Sequence, residues 1–322
     1  MNDPEAWYRG RTIAITGAYG YLGTGLSALL EQAGATVRRA TRGRSEADAA
    51  WVGSLIDASF CRRLVAGADA VFHLAAQTSV PQSWADPLAD LRENVESTVA
   101  LLKACADESH KPAFVYAGTA TQIGLTTSVP IPAGQADLPI TVYDANKLAA
   151  EQLVGVYTSM GAVAGVTLRI ANVYGPGAAK SAPERGVVNK LIARAMAGQN
   201  LTYYGDGDLV RDYVYIADLL RAFQFAAPAA PRADRRSYVI AGGGSHTLRE
   251  AFETIADVVA SLGFTRVQVS SVPWPKSSHP IDRRSFTVDI TAHVAFSGWR
   301  PRIPFAEGIR LTAEAFRRGA VT

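Results

Sequence analysis

The segment that most limits what this chain can fold into is TIAITGAYGYLGTGLSALLEQAGATVRRAT, from Thr12 to Thr41. Thr12–Thr16 is a short β-rich run. Gly17, Gly20 and Gly23 follow at intervals of three. Leu22, Leu26, Leu29 and Leu30 then recur at helical spacing. Gly34 predicts the end of that helix, and 36–41 reads as the next strand. The whole is one βαβ unit. Small residues at such a turn let the backbone approach a pyrophosphate, and the helix start offers N–H groups and a positive dipole end. The spacing is GxxGxxG rather than GxGxxG. The plainer alternative is a tight strand–helix turn with no ligand.

Further buried-strand candidates follow at 68–76, 112–118, 165–175 and 238–242. Helical patterns fall at 85–108, after 143, at 187–197 and at 247–261, and the tail ends helical. Strands alternating with helices predict an α/β fold, a Rossmann-type doubly wound parallel sheet covered on both faces. The pattern loosens after Gly175. The expected organisation is a dinucleotide-binding region over 1–174 and a smaller α/β substrate region over 175–322. Segments near 205–242 are expected to return to the sheet. The Ala/Pro/Arg stretch 226–236 reads as a surface loop.

Composition narrows the function classes. The chain has 322 residues, 48% hydrophobic and 19% charged, with a formal net charge of +3. That charge does not by itself imply nucleic acid, and no aromatic stacking motif accompanies the arginine pairs 38/39, 235/236 and 317/318. Cys61 and Cys105 form no CxxC, and the five histidines lack ligand spacing, so no metal site is expected. The absence of an apolar leader or of about 18 consecutive apolar residues predicts a cytoplasmic protein.

Several segments carry a family resemblance: TGAYGYLG at the turn, HLAA at 73–76, Asn94 in ENVESTVALLKA, FVYAGTATQIG at 114–124, YDANK at 143–147, LRIANVYGPG at 168–177, YGDGDLVRDYVYIADL at 204–219 and SGWRP at 297–301. Together they resemble the extended short-chain dehydrogenase/reductase family, in its nucleotide-sugar epimerase and dehydratase branch. The resemblance spans nearly the whole chain. It implies a homodimer packed through the helices near 94–106 and 143–157.

The resemblance implies roles for individual residues. Tyr143 is the acid/base at a sugar hydroxyl or ketone, Lys147 the ammonium one turn away, and Thr119 the hydroxyl on the reacting oxygen. A free phenol has a pKa near 10, and a neighbouring ammonium favours its phenolate. Cofactor contacts are implied for Gly17, Tyr19, Gly20, Tyr21, Leu22, Gly23, Arg42, Leu55, Ala75, Ala76, Gln77, Asn94, Tyr143, Lys147 (on the nicotinamide ribose), Tyr174 and Pro176. Substrate contacts are implied for Ser79, Val80, Ser83, Asn172, Val188 and Asn189, with Arg211, Arg283 and Arg284 on the diphosphate. Solvated surface charge is the plainer reading of these arginines. His73 reads as structural.

Two departures bear on the reaction. The second strand is followed by RGRS, with no acid before Glu46, and 53–57 is GSLID, with Ser54 in place of the family's Asp. NAD-binding units usually carry an acid at the second strand's end. Arg42, Arg44 and Ser45 could hold a 2′-phosphate, which favours NADP. The recycling epimerases of the family favour NAD. The second departure follows Thr119, where dehydratases of the branch carry Asp-Glu. Here Ala120 and Thr121 follow, so elimination of water lacks its acid and base. The expectation is an NAD-dependent nucleotide-sugar 4-epimerase that acts on a UDP-sugar through a transient 4-keto intermediate. Alternatives are an NADPH-dependent 4-ketoreductase, a dehydratase, or a binding protein on the same scaffold.

Overall fold

The computed structural model describes residues 4–43, 50–126, 129–132, 134–177, 186–234, 237–276, 278 and 280–319. Arg44, Ser45, Glu46, Arg235 and Arg236 lie outside the described residues.

The first half runs α1 (Pro4–Tyr8), β1 (Thr12–Thr16), α2 (Gly23–Gln32), β2 (Thr36–Thr41), β3 (Ala50–Val52), α3 (Ala58–Val65), β4 (Ala70–His73), α4 (Val80–Ala85) and α5 (Pro87–Leu91). A π-helical turn (Arg92–Glu96) leads into α6 (Ser97–Ala106), then β5 (Ala113–Thr119), α7 (Val142–Ser159), β6 (Ala164–Ile170) and β7 (Asn172–Tyr174). The rest is α8 (Val187–Met196), β8 (Leu201–Tyr204), β9 (Val210–Arg211), β10 (Tyr213–Tyr215), α9 (Ile216–Ala229), β11 (Ser237–Ile240), β12 (His246–Thr247), α10 (Leu248–Ser261), β13 (Val269–Val272), α11 (Thr291–Ser297) and α12 (Phe305–Arg317).

Seven strands form one parallel sheet in the order β11-β6-β5-β4-β1-β2-β3. The order reverses at β1, so the glycine turn opens at the crevice where such sheets bind ligands. The period of two along each strand divides the apolar residues between two layers. Ile13, Ile15, Phe72 and Val115 pack with Leu26 and Leu30 of α2 and Phe223 of α9. Val71, Phe114 and Tyr116 pack on the other face with Leu64 of α3, Leu101 of α6 and Val154 of α7.

Beyond β6 a second apolar core forms, with Leu191 and Ile192 of α8, Phe252 and Ile255 of α10, and Phe305 and Ile309 of α12. Around it are three two-stranded sheets, β10-β7, β12-β9 and β13-β8. The apolar run 165–175 is therefore two strands. β6 ends at Ile170, and β7 pairs with β10 outside the main sheet.

The expectation of a surface loop over 226–236 is corrected. α9 continues to Ala229 and a 3-10 turn covers Ala230–Arg232. Ala226, Ala227, Ala229 and Ala230 are buried. Alanine's high helix propensity and small volume let this stretch pack closely under the sheet, despite Pro228 within the helix.

A buried charge cluster ties β6 to its neighbours. Arg169 of β6 makes paired bonds to Asp137 (2.8 and 2.7 Å) and reaches Glu151 of α7 (2.9 Å). Gln122 Nε2 donates to the same Glu151 at 3.0 Å. Charges this deep persist only when paired, so the cluster locks α7 against β6 and the turn after β5. No helix among the described residues is long and apolar enough to cross a membrane.

Candidate active site

The glycine turn is built for close approach. Gly17 has φ +65°, and a Cβ there would lie 2.9 Å from the Ala75 amide nitrogen. A Cβ on Gly23 would lie 2.1 Å from the Gly17 carbonyl oxygen. The loop is thus folded tightly on itself and against the end of β4. No side chain caps the first turn of α2, which leaves its amide end suited to an anion. Thr16 fixes the neighbouring loop: its hydroxyl accepts from the amides of Leu74 (3.2 Å) and Ala75 (3.1 Å). His73 bridges Thr16 (2.7 Å) and Thr98 (3.0 Å) through its two ring nitrogens. Burial pushes its pKa down to about 3, so it stays neutral and structural.

These segments wall a cavity of about 960 Å³. Gly17, Gly20, Tyr21, Leu22 and Gly23 line it at the turn, Arg42 and Leu55 at one end, and Ala75 and Ala76 beside β4. Thr119, Tyr143 and Lys147 line it too. The volume and mixed lining suit a dinucleotide with a second ligand. The close-packed glycines and the uncapped helix fit the pyrophosphate of such a cofactor.

Tyr143 and Lys147 reach the cavity because Thr141 caps α7, accepting from the Asp144 amide at 3.0 Å. Thr119 ends β5, at the C-terminal edge of the sheet. Tyr143 and Thr119 share the cavity wall, close enough for Thr119 to bear on the Tyr143 phenol. Burial raises the Tyr143 pKa, the Asp144 charge raises it further, and the nearby Thr119 hydroxyl opposes both. Lys147 donates to the Ala117 carbonyl at 2.7 Å and its Nζ stands 4.2 Å from the centre of the Tyr116 ring. Burial pushes its pKa down to about 7, against the charges of Glu151 and Asp90. The expectation of an ammonium drawing Tyr143 toward phenolate is therefore offset here by desolvation of both groups.

The structure holds several expected contact residues away from the cavity wall. Tyr174 is buried in the second core, its hydroxyl donating to the Phe305 carbonyl at 3.1 Å and its ring against Gly308. Asn189 is buried, and its amide clamps Gly175, accepting from its N–H (2.9 Å) and donating to its carbonyl (2.8 Å). Val188 packs in the same core. Asn172 donates to the Asp212 carbonyl at 3.0 Å. Ser79 caps α4, which Val80 begins. Ser83 accepts from the Tyr143 amide at 3.2 Å, steadying the start of α7. Gln77 donates to Asp90 at 2.7 Å, and Asn94 donates to the Gln77 carbonyl at 3.2 Å. Tyr19 packs against the main core, and Pro176 follows the clamped Gly175.

The three arginines expected at a diphosphate sit together outside the large cavity. Arg211 donates to the carbonyls of Val210 (3.0 Å), Asp282 (2.8 Å) and Arg284. Arg284 donates to the Gly124 carbonyl. Arg283 and Arg284 line a small depression with Leu125 and Thr126.

Residues that the motifs did not single out complete the site. Thr121 donates to Asp144, and Asp90 accepts from Gln77 and from Asn146 (2.7 Å). Glu93 pairs with Arg42 at 2.6 Å on the cavity wall. Asp144 follows Tyr143 in sequence, but nothing in that adjacency signals a bond to Thr121.

Residues 13–241 match the model of the NAD dependent epimerase/dehydratase family. The chain belongs to that family. Its relatives include the UDP-glucose 4-epimerase of Mycolicibacterium smegmatis, 30% identical over 254 residues, 77% of this chain and 76% of that one. Among solved structures, the UDP-glucose 4-epimerase of Thermotoga maritima with UDP-glucose superposes with a TM-score of 0.83 at 28% identity, covering 96% of this chain and 99% of the other. The Thermus thermophilus UDP-glucose 4-epimerase in complex with NAD gives 0.78 at 29% identity, over 95% and 99%. The family's description names NAD and the Thermus thermophilus enzyme was solved with it; the glycine turn, sheet order and cavity of this chain fit that cofactor.

Proposed function

We propose that the protein is an NAD-dependent nucleotide-sugar 4-epimerase acting on a UDP-sugar. The observation that carries this reading is the meeting of Thr119, Tyr143 and Lys147 on the wall of one cavity, with Ala120 and Thr121 following Thr119 where elimination would need carboxyl groups. Gly17, Gly20, Gly23 and the start of α2 would hold the pyrophosphate. NAD bound there would take a hydride from C4 of the sugar and return it to the opposite face.

The chain's own residues handle the proton. Tyr143 takes the C4 hydroxyl proton and gives it back when the 4-keto sugar has turned. Thr119 holds the reacting oxygen beside Tyr143. Burial and Asp144 favour the phenol, so the base form depends on positive charge nearby, from Lys147 below its pKa of about 7 and from the ligands. Arg211 would anchor the diphosphate, whose oxygens make stronger charge-assisted bonds than the neutral carbonyls it now contacts. A homodimer through α6 and α7 accords with the exposed Val156 and Met160 at the end of α7, and a cytoplasmic location with the composition.

One observation favours a second reading. Arg42 directly follows β2, a strand that does not end in an acid, which suits the 2′-phosphate of an NADPH-dependent ketoreductase. Tyr143→Phe tests the acid/base assignment. Turnover should fall by about 10³-fold or more, within the range of general acid–base contributions, while retained NAD stays at the wild-type amount. Wild-type turnover in this variant would remove Tyr143 from the mechanism.

A further inference from the structure

The end of β2 poses a problem that the rest of the cavity does not. A dinucleotide site that takes NAD usually offers the adenosine ribose an acid there, whereas an arginine accommodates a 2′-phosphate. β2 ends at Thr41 and is followed by Arg42 and Gly43, all three on the cavity wall. By that rule the chain should take NADP, yet the family it belongs to is described as NAD dependent, and the Thermus thermophilus relative was solved with NAD.

Glu93 resolves the conflict. It lies 51 residues further on, in the π-helical turn Arg92–Glu96. Such turns place one extra residue in the helix and are frequent at functional sites. Here the turn buries Asn94 while Glu93 stays on the cavity wall, with its carboxylate 2.6 Å from Arg42 Nη1. Arg42 and Glu93 are 66% and 32% exposed, so the pair is worth little to stability. Its consequence is for recognition. The guanidinium that would grip a 2′-phosphate is already engaged, and a carboxylate stands where that phosphate would bring two more negative charges.

We propose that Glu93 is the residue that sets the nucleotide preference of this chain, by engaging Arg42 and repelling a 2′-phosphate, so that the acid missing from β2 is supplied from the turn before α6. Arg92 also lines the wall, while the Glu93 carboxylate pairs with Arg42. The inference rests on the cavity holding a dinucleotide.

The test uses intact purified protein equilibrated with an equimolar excess of NADH and NADPH, then desalted, with retained nucleotides quantified by chromatography. Wild type should retain NADH in excess. Glu93→Gln keeps the shape of the side chain and removes its charge. It should move the retained ratio toward NADPH by about tenfold or more, the worth of one charge-assisted hydrogen bond. Adding Arg42→Ala to Glu93→Gln should cancel that gain. An unchanged ratio in Glu93→Gln, or a gain that survives loss of Arg42, would overturn the proposal. Wild type that prefers NADPH would also overturn it. Retention of neither nucleotide by wild type would instead refute the dinucleotide site itself.

Discussion

The Thr121 hydroxyl donates to the buried Asp144 carboxylate, and the same oxygen lies 2.7 Å from the Thr119 hydroxyl. A carboxylate only accepts, so the Thr121 proton is committed to Asp144. The Thr119 proton then points to Thr121, and a Thr119 lone pair remains for Tyr143. Asp144 is held in place by Thr141, whose hydroxyl donates to its other oxygen at 2.7 Å. Thr121→Val should break this line and lower kcat by about 10- to 100-fold, as expected for loss of one hydrogen bond in a charged network. Thr121→Ser should restore most of it, with retained NAD equal in all three proteins. Wild-type kcat in Thr121→Val would show the line to be idle.

The glycine turn makes a sharper structural demand. A methyl group on Gly23 would lie 2.1 Å from the Gly17 carbonyl and 2.7 Å from the Ala18 Cα, both backbone atoms that cannot move aside cheaply. Gly23→Ala should cost about 1–3 kcal/mol of stability, in the range for overpacking, and abolish NAD retention. Thermal unfolding and nucleotide content measure the two. A variant with normal stability and bound NAD would contradict the packing described for this turn.

Lys147 predicts a pH dependence of stability. Its folded pKa, about 7, is below the unfolded value of 10.5, because burial disfavours the ammonium. The unfolded chain therefore binds the extra proton between these values, and stability rises with pH across that window. Below pH 7 the folded chain carries the full desolvation cost. Lys147→Met removes the group, so its stability relative to wild type should be greater at pH 6 than at pH 9. The difference should be on the order of 2 kcal/mol. Denaturant unfolding at the two pH values checks the sign. An equal difference at both would mean that Lys147 keeps an ordinary pKa.

Local pattern carried much of this fold. The strands at 12–16 and 36–41, the helix after Thr141 and the turn between Gly17 and Gly23 follow from period, β-branching and glycine placement, which act over a few residues. The long apolar pattern at 85–108 did not reveal its breaks. α4, α5 and the π-helical turn depend on Asp86 capping α5 and on where Asn94 can be buried. The run 226–236 misled because alanine and proline serve equally in loops and in tightly packed helix ends. Thr119, Tyr143 and Lys147 were legible because a family motif carries them. Asp144, Asp90, Glu93 and the Arg169 cluster were not, since each meets a partner 13 to 56 residues away and no local spacing encodes such a meeting.

The central claim is that the protein inverts C4 of a UDP-sugar with no net redox change. The most direct measurement offers the purified protein UDP-glucose, UDP-glucuronate and UDP-N-acetylglucosamine in turn, without added nucleotide, and follows sugar products by NMR and reduced cofactor by absorbance. The account predicts a C4 epimer of at least one of them, reaching equilibrium with no lasting accumulation of NADH. Turnover that requires stoichiometric NADPH, or a 4-keto-6-deoxy product, would contradict it.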